Sequence, residues 1–306
     1  MSRIEDAMEK AEQLRQRDMG SVLNVELKPK QAPLPKPVPP STKIEITNPL
    51  LLAANDFDLP VAEEYRKLKS AIVYATKKEG FLNTIMVTSA ISGEGKSLTA
   101  LNLAISLAQE HDHTVLLVDA DLRSPFICEY LGIAAKKGLS DCLREGFPIS
   151  DVLIKTGLGN LTIFPAGERV TNPVEFFSSQ KMKDLLSEVK HRYADRYIIF
   201  DMPPILPFAE TRLLGSIVDG VVFVVKEGGT SLHNIKEALD SLKDANILGL
   251  VYNEATEASL DNGYHYYYGK YRYGTERTAP TRNEKGRKRG ILSRIRGKKV
   301  DQGPKT

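Results

Sequence analysis

The 306-residue chain is short of cysteine and of long apolar runs, and each shortage removes a class of protein. Two cysteines, Cys128 and Cys142, are too few for a disulfide framework or a spaced metal cluster, which points to a reducing, cytoplasmic compartment. Nowhere do about 18 apolar residues follow one another, so no membrane span is expected. The opening Met-Ser-Arg-Ile-Glu-Asp-Ala-Met lacks the apolar stretch of a secretion signal. A large excess of either charge is also missing, the formal net charge being +3. Acidic residues are scarce only locally: Arg282–Lys299 holds one, Glu284, among many Arg and Lys. An apolar share of 42% and a charged share of 26% suit a soluble globular domain. Both ends, however, are too polar and too rich in Pro, Gly or basic residues to join a core.

These shifts in composition divide the chain. Residues 1–20 read as an amphipathic helix with Ile4, Met8, Ala11 and Leu14 on one face, too short to be stable alone. Residues 21–47 carry Pro29, Pro33, Pro35, Pro37, Pro39 and Pro40 and read as a stiff linker. Residues 48–256 have the patterns of a folded domain. Residues 257–306 lack a folding pattern and are expected to be disordered. In that tail Tyr264, Tyr266, Tyr267, Tyr268, Tyr271 and Tyr273 precede the basic segment 282–299.

Within 48–256, short apolar strands alternate with helical patterns. Strands are expected at Thr84–Thr88, Thr114–Val118, Leu161–Phe164, Tyr197–Phe200, Gly220–Val225 and Ile247–Tyr252. Helices are expected at Glu63–Tyr74, from near Leu98, and at Ser179–His191, Ala209–Ile217 and Leu232–Asp244. Alternation of this kind implies an α/β fold: a doubly wound, mainly parallel sheet in a three-layer α/β/α arrangement. Ligands of such sheets bind at the carboxyl ends of the strands.

The strongest chemical signal lies at one of those ends. Ala90-Ile-Ser-Gly-Glu-Gly-Lys-Ser97 follows a strand and opens a helix, the context of a phosphate-binding loop. Ser92, Gly93, Glu94, Gly95, Lys96, Ser97 and Leu98 would surround the phosphates of a nucleotide, with backbone N–H groups and a helix N-terminus aimed at the anion. Lys96 supplies a charge for the terminal phosphates and Ser97 a hydroxyl for Mg²⁺. Asp119 and Asp121 follow the second strand, and Asp201 ends the fourth. Each alone would pass as a helix cap or turn residue. Three carboxylates at strand ends beside a P-loop instead suit metal binding and proton transfer.

Ile-Ser-Gly-Glu-Gly-Lys-Ser, Leu-Leu-Val-Asp119-Ala-Asp121-Leu-Arg123 and Ile-Ile-Phe-Asp201-Met-Pro-Pro together resemble the Walker A, A′ and B motifs of the bacterial tyrosine kinases. The tyrosine-rich tail is similar to that family's autophosphorylation cluster. Glu63-x-x-Arg66-x-x-Lys69 resembles its oligomerisation helix, usually Glu-x-x-Arg-x-x-Arg. The resemblance covers about residues 60–273 and is nearest to the exosortase-associated autokinases of exopolysaccharide clusters. It implies that Lys96, Asp119 and Asp121 are catalytic, with Asp119 the base toward a tyrosine hydroxyl. It also implies that Ser97, Asp121 and Asp201 hold Mg²⁺, that ATP is the phosphate donor, and that Asn253 contacts adenine. The role of Arg123 stays open. Three positions depart from the pattern: Ala90 replaces a glycine, Met202 a hydroxyl residue, and Lys69 an arginine.

The resemblance further implies autophosphorylation of the tyrosine tail in trans, a homo-oligomer that can be a ring, and a separate membrane chain-length regulator as activator. The chain would then sit in the cytoplasm at the inner face of the membrane through that partner. A partitioning or positioning ATPase of the ParA/MinD kind is the alternative; those carry a second lysine where this chain has Ile91, and the tyrosine cluster would have no use. The basic segment suits an anionic membrane surface better than nucleic acid, because Ile291, Leu292 and Ile295 interleave with its charges.

Overall fold

The computed structural model describes residues 48–55, 60–77, 80–192 and 195–256. The N-terminal helix, the Pro-rich linker, the tyrosine cluster and the basic segment expected from the sequence lie outside the described residues.

In chain order the elements are α1 (Leu52–Asn55), α2 (Pro60–Lys77), β1 (Thr84–Ser89), α3 (Lys96–Ala108), β2 (Thr114–Asp119), α4 (Ile127–Tyr130), α5 (Leu139–Glu145), α6 (Ile149–Val152), β3 (Ile154–Lys155) and β4 (Leu161–Phe164). They continue with α7 (Val174–Ser178), α8 (Gln180–His191), β5 (Arg196–Asp201), α9 (Ala209–Gly215), β6 (Gly220–Lys226), α10 (Leu232–Ser241) and β7 (Ile247–Asn253). The seven strands form one sheet in the order β3-β4-β2-β5-β1-β6-β7. All pairings are parallel except β3 with β4.

The strand sequences explain the layers. β1, β2, β5 and β6 carry apolar centres and are buried at nearly every position, so both of their faces are covered. Alternate residues serve opposite cores. Met86, Leu116, Val118, Ile198, Phe200 and Phe223 pack on one side, with residues of α8 and α10. Ile85, Val87, Val115, Leu117, Ile199 and Val222 pack on the other, with the apolar residues of α3. Two helix starts carry side-chain caps: Ser179 accepts the Met182 N–H, and Ser231 accepts the Asn234 N–H.

The strand order decides where the chemistry falls. β1 runs between β5 and β6, so the loop after β1 opens between their carboxyl ends. β5 is the immediate neighbour of β1, and β2 lies one strand further out. In register, Asp119 ends β2 directly opposite Asp201 at the end of β5. Both acidic motifs therefore lie on the same side of the P-loop strand. The short β3 and the helices α5 and α7 have no strong periodic signature, and pattern reading passes over them. Among the described residues, no helix is long and apolar enough to cross a membrane.

Candidate active site

The loop from Ala90 to Gly95 turns between β1 and α3. Gly93 and Gly95 adopt φ of 85° and 86°, the left-handed region that L side chains avoid. Gly95 has a second constraint: a Cβ there would lie 2.1 Å from Asn253 Nδ2. Ala90 needs neither exemption. Among the described residues Glu254 is the one non-glycine with positive φ, so Ala90 has ordinary backbone, and its methyl is buried in the core. Loss of the first glycine therefore leaves the loop intact. Ser92 is exposed on the loop, and Leu98 is half-buried in the first turn of α3.

Lys96 begins α3 and is 9% exposed. Its Nζ donates to Asp121 Oδ2 at 2.9 Å and to Ser97 Oγ at 3.1 Å, and lies 3.6 Å from Asp201 Oδ1. Burial alone would depress this ammonium; the charges of Asp201 and Asp121 outweigh it and hold Lys96 above its ordinary value. Asp121 is fixed from its other side, Oδ1 accepting the Ser124 N–H at 3.0 Å.

Asp119 and Asp201 are fully buried. Asp119 Oδ2 accepts the Ile127 N–H at 3.1 Å, while its Oδ1 has no hydrogen-bond partner. Burial, helped by the Asp201 charge, pushes the Asp119 carboxyl well above the usual range. Burial also raises Asp201, against the opposing pull of Lys96. The loop behind Asp201 is pinned by its backbone: Met202 N–H donates to Val87 O, and Pro203 O accepts from both Thr88 Oγ1 and Thr211 Oγ1. Met202 is itself buried in the core, so this position serves packing here.

The residues suit a magnesium ion. Both Asp201 carboxylate oxygens are buried without a hydrogen-bond partner, close to the Lys96–Asp121 pair and Ser97. A hard cation takes such oxygens. Among the described residues no three acidic, His or Cys side chains form a protein-only cage.

Two side chains that the sequence did not single out for contacts organise the rim. Glu94 turns its carboxylate inward and is 1% exposed. It accepts from Ile91 N, Thr230 Oγ1 and Lys226 N, while Asn253 Nδ2 donates to its carbonyl at 2.9 Å. Arg123 donates to the buried Glu210 and to Thr171 O, and its guanidinium stacks 4.6 Å from the Phe208 ring centroid. Nothing in local sequence links these partners. Glu63, Arg66 and Lys69 sit apart from the site on α2. There Arg66 pairs with Glu63 at 2.6 Å, and Lys69 pairs with Glu110 of the same chain at 2.9 Å.

A glycine-turned loop between a buried strand and a helix, with a lysine and three carboxylates at parallel strand ends, defines a P-loop nucleotide-binding protein. The family model described as ParA, NUBPL iron-transfer P-loop NTPase, matches residues 81–279. The chain is 35% identical over 209 residues to the tyrosine-protein kinase YwqD of Bacillus subtilis, covering 67% of this chain and 86% of that protein. It is 31% identical over 225 residues to the putative tyrosine-protein kinase EpsB of Ralstonia solanacearum, spanning 73% of this chain but 30% of that longer relative. Among solved structures, the kinase domain of the Escherichia coli tyrosine kinase ETK superposes with a TM-score of 0.62 at 25% identity, covering 67% of this chain and 82% of that chain. The chain belongs to the bacterial tyrosine-protein kinases, within the ParA-type P-loop NTPases.

Proposed function

We propose that the chain transfers the γ-phosphoryl group of ATP to tyrosines of its own tail, Tyr264 to Tyr273, in another copy of the chain. The observation that carries this reading is the Lys96 ammonium held between Asp121 and Asp201 behind a P-loop. The phenolic oxygen attacks the γ-phosphorus, the bond to the β–γ bridging oxygen breaks, and ADP leaves. The phenolic proton goes to Asp119, whose Oδ1 is unpartnered and whose raised pKa makes it a better proton acceptor. Asp119 is fully covered in this structure, so its surroundings must open for the acceptor to reach it. Lys96 and the loop N–H groups hold the phosphates, and Ser97, Asp121 and Asp201 would hold Mg²⁺. When bound, that ion neutralises charge on the β- and γ-phosphate oxygens. Asn253, packed on Gly95, is the proposed adenine contact.

The family resemblance supports a role in exopolysaccharide synthesis or export, with a membrane chain-length regulator as activator and the chain held at the inner membrane face through it. Glu63, Arg66 and Lys69 remain the proposed oligomer contacts. Lys69 must first leave Glu110, which weakens that surface relative to a free arginine. Ile91, in place of a second lysine, weighs against a partitioning ATPase.

Phosphosite mapping by mass spectrometry of the full chain incubated with ATP and Mg²⁺ tests the reading. Phosphotyrosine within 264–273 is the expected result. Phosphate confined to other residues, or none at all with the membrane activator added, sinks it.

A further inference from the structure

The strand order gives a bound nucleotide a direction. The triphosphate sits on the loop after β1. Asp119, Asp121 and Asp201, which act on its reacting end, come from β2 and β5 on one side of β1. The nucleoside must then extend to the other side, over the ends of β6 and β7. The wall on that side is Lys226–Thr230 and Asn253–Glu254.

That wall is knitted to itself and to the P-loop. Glu227 N–H donates to Asn253 O at 2.9 Å, and Lys226 Nζ pairs with Glu254 Oε2 at 2.6 Å. Glu254 adopts φ of 54°, a strained conformation that its surroundings must enforce. The link to the phosphate loop is one residue. Glu94 Oε1 accepts Thr230 Oγ1 at 2.5 Å and Lys226 N–H at 3.3 Å, while Oε2 accepts the loop's own Ile91 N–H at 2.8 Å. Its carbonyl accepts Asn253 Nδ2 at 2.9 Å. A carboxylate 1% exposed, with oxygens divided between two loops, is held in one geometry. Ser92 and Gly93 of the P-loop face solvent, whereas this charged side chain points back into the fold.

We propose that Glu94 is a positioning residue that clamps the phosphate loop to the nucleoside-side wall, so that seating the base sets the phosphate grip. The clamp selects complete nucleoside triphosphates over bare polyphosphate. Inorganic triphosphate meets the loop alone; ATP meets loop and wall together, and gains from their fixed spacing. This inference rests on the nucleotide reading above and deepens it.

The test compares Mg-ATP with Mg-tripolyphosphate binding to the full chain by titration calorimetry. Glu94→Gln and Thr230→Val should each weaken ATP on the order of tenfold, yet tripolyphosphate by less than about twofold. Combining them should add little, since both break one link. Thr230→Ser, which keeps the hydroxyl, should recover most of the loss caused by Thr230→Val. If Glu94→Gln fails to fold, the Thr230 pair carries the test. Equal weakening of both ligands, or an ATP affinity unchanged by Thr230→Val, overturns the clamp alone. A wild-type chain that binds neither ligand overturns the nucleotide reading and the clamp with it.

Discussion

Arg123 and Glu210, 87 positions apart in sequence, meet in a salt bridge of 2.6 Å that joins the loop after β2 to the first turn of α9. Glu210 is 1% exposed and its second oxygen has no hydrogen-bond partner, so this bridge is what compensates its burial. Arg123 also donates to Thr171 O at 2.8 Å. One guanidinium thus ties three segments together two residues from Asp121. Arg123→Ala should destabilise the fold by roughly 3 kcal/mol, because it strands a buried carboxylate. Arg123→Lys keeps the charge and loses the fork and the stacking, and should fall between the two. Denaturant midpoints measure the ranking. If Arg123→Ala matches wild type in stability, the bridge is not what holds Glu210.

Lys96 joins Ser97, Asp121 and Asp201 in the site, and its removal should stop labelling. Lys96→Met is expected to lower phosphotyrosine formation at least about 100-fold. Mixing Lys96→Met chains with tail-deleted wild-type chains should restore phosphate on the mutant's tail. An unlabelled tail in that mixture would rule out transfer between chains.

Asp119 combines complete burial with a raised pKa, and this has opposite consequences for activity and stability. The labelling rate should rise with pH through a pKa above the ordinary carboxylate range, since the base must be ionised. Stability runs the other way. A carboxyl raised in the folded chain holds its proton there after the unfolded chain has lost it, so stability falls as pH climbs from the unfolded value to the folded one and stays lower above it. Asp119→Asn keeps an oxygen for the Ile127 N–H and should raise the melting temperature at neutral pH while abolishing the acidic limb of the rate profile. The stability gain should vanish in acid. A neutral-pH melting temperature below wild type contradicts the burial account.

At the opposite end of the sheet Asp219 accepts the N–H groups of Asn83 and Thr84 and the Thr84 hydroxyl, and pairs with Lys190 at 2.5 Å. Burial acts to raise this carboxyl, but the Lys190 and Thr84 bonds outweigh it and leave it below the ordinary range. A depressed carboxyl contributes stability above its unfolded pKa and loses it as pH falls through the folded value. Asp219→Asn should therefore cost about 1–3 kcal/mol at neutral pH, with the gap from wild type closing in acid. Urea midpoints measured across pH give both numbers, and a gap independent of pH would assign the loss to shape alone.

Much of the site was legible because its residues are close in sequence. The P-loop and the Asp119–Asp121 pair are local strings, and alternating apolar runs with helical spacing identified a parallel α/β sheet. Sequence also marked Ala90 as a departure, yet only packing explained it: the methyl lies in the core. The Glu94 carboxylate read as one more loop residue until the fold turned it toward Thr230. Lys69 read as one member of an oligomerisation motif, and only the fold brings Glu110 of the same chain within 2.9 Å of it. Strand β3 escaped notice because two residues complete one period, and helix α5 because Leu139-Ser-Asp-Cys-Leu-Arg-Glu145 carries few apolar positions.

The sequence by itself determined the chemistry available: a phosphate loop, three carboxylates at strand ends, and a tyrosine-rich tail. Apolar runs also determined that β2, β5 and β6 would be covered on both faces, whereas β7, equally apolar, lies at the sheet edge with Leu250 and Tyr252 exposed. The tertiary structure decided the order β2-β5-β1-β6-β7, which puts all three carboxylates on one side of the loop and the Glu94 clamp on the other. No string of residues encodes that order locally. It follows from how the whole set of apolar faces is best buried, and side chains such as Arg123 and Glu210 become neighbours only once that burial is complete.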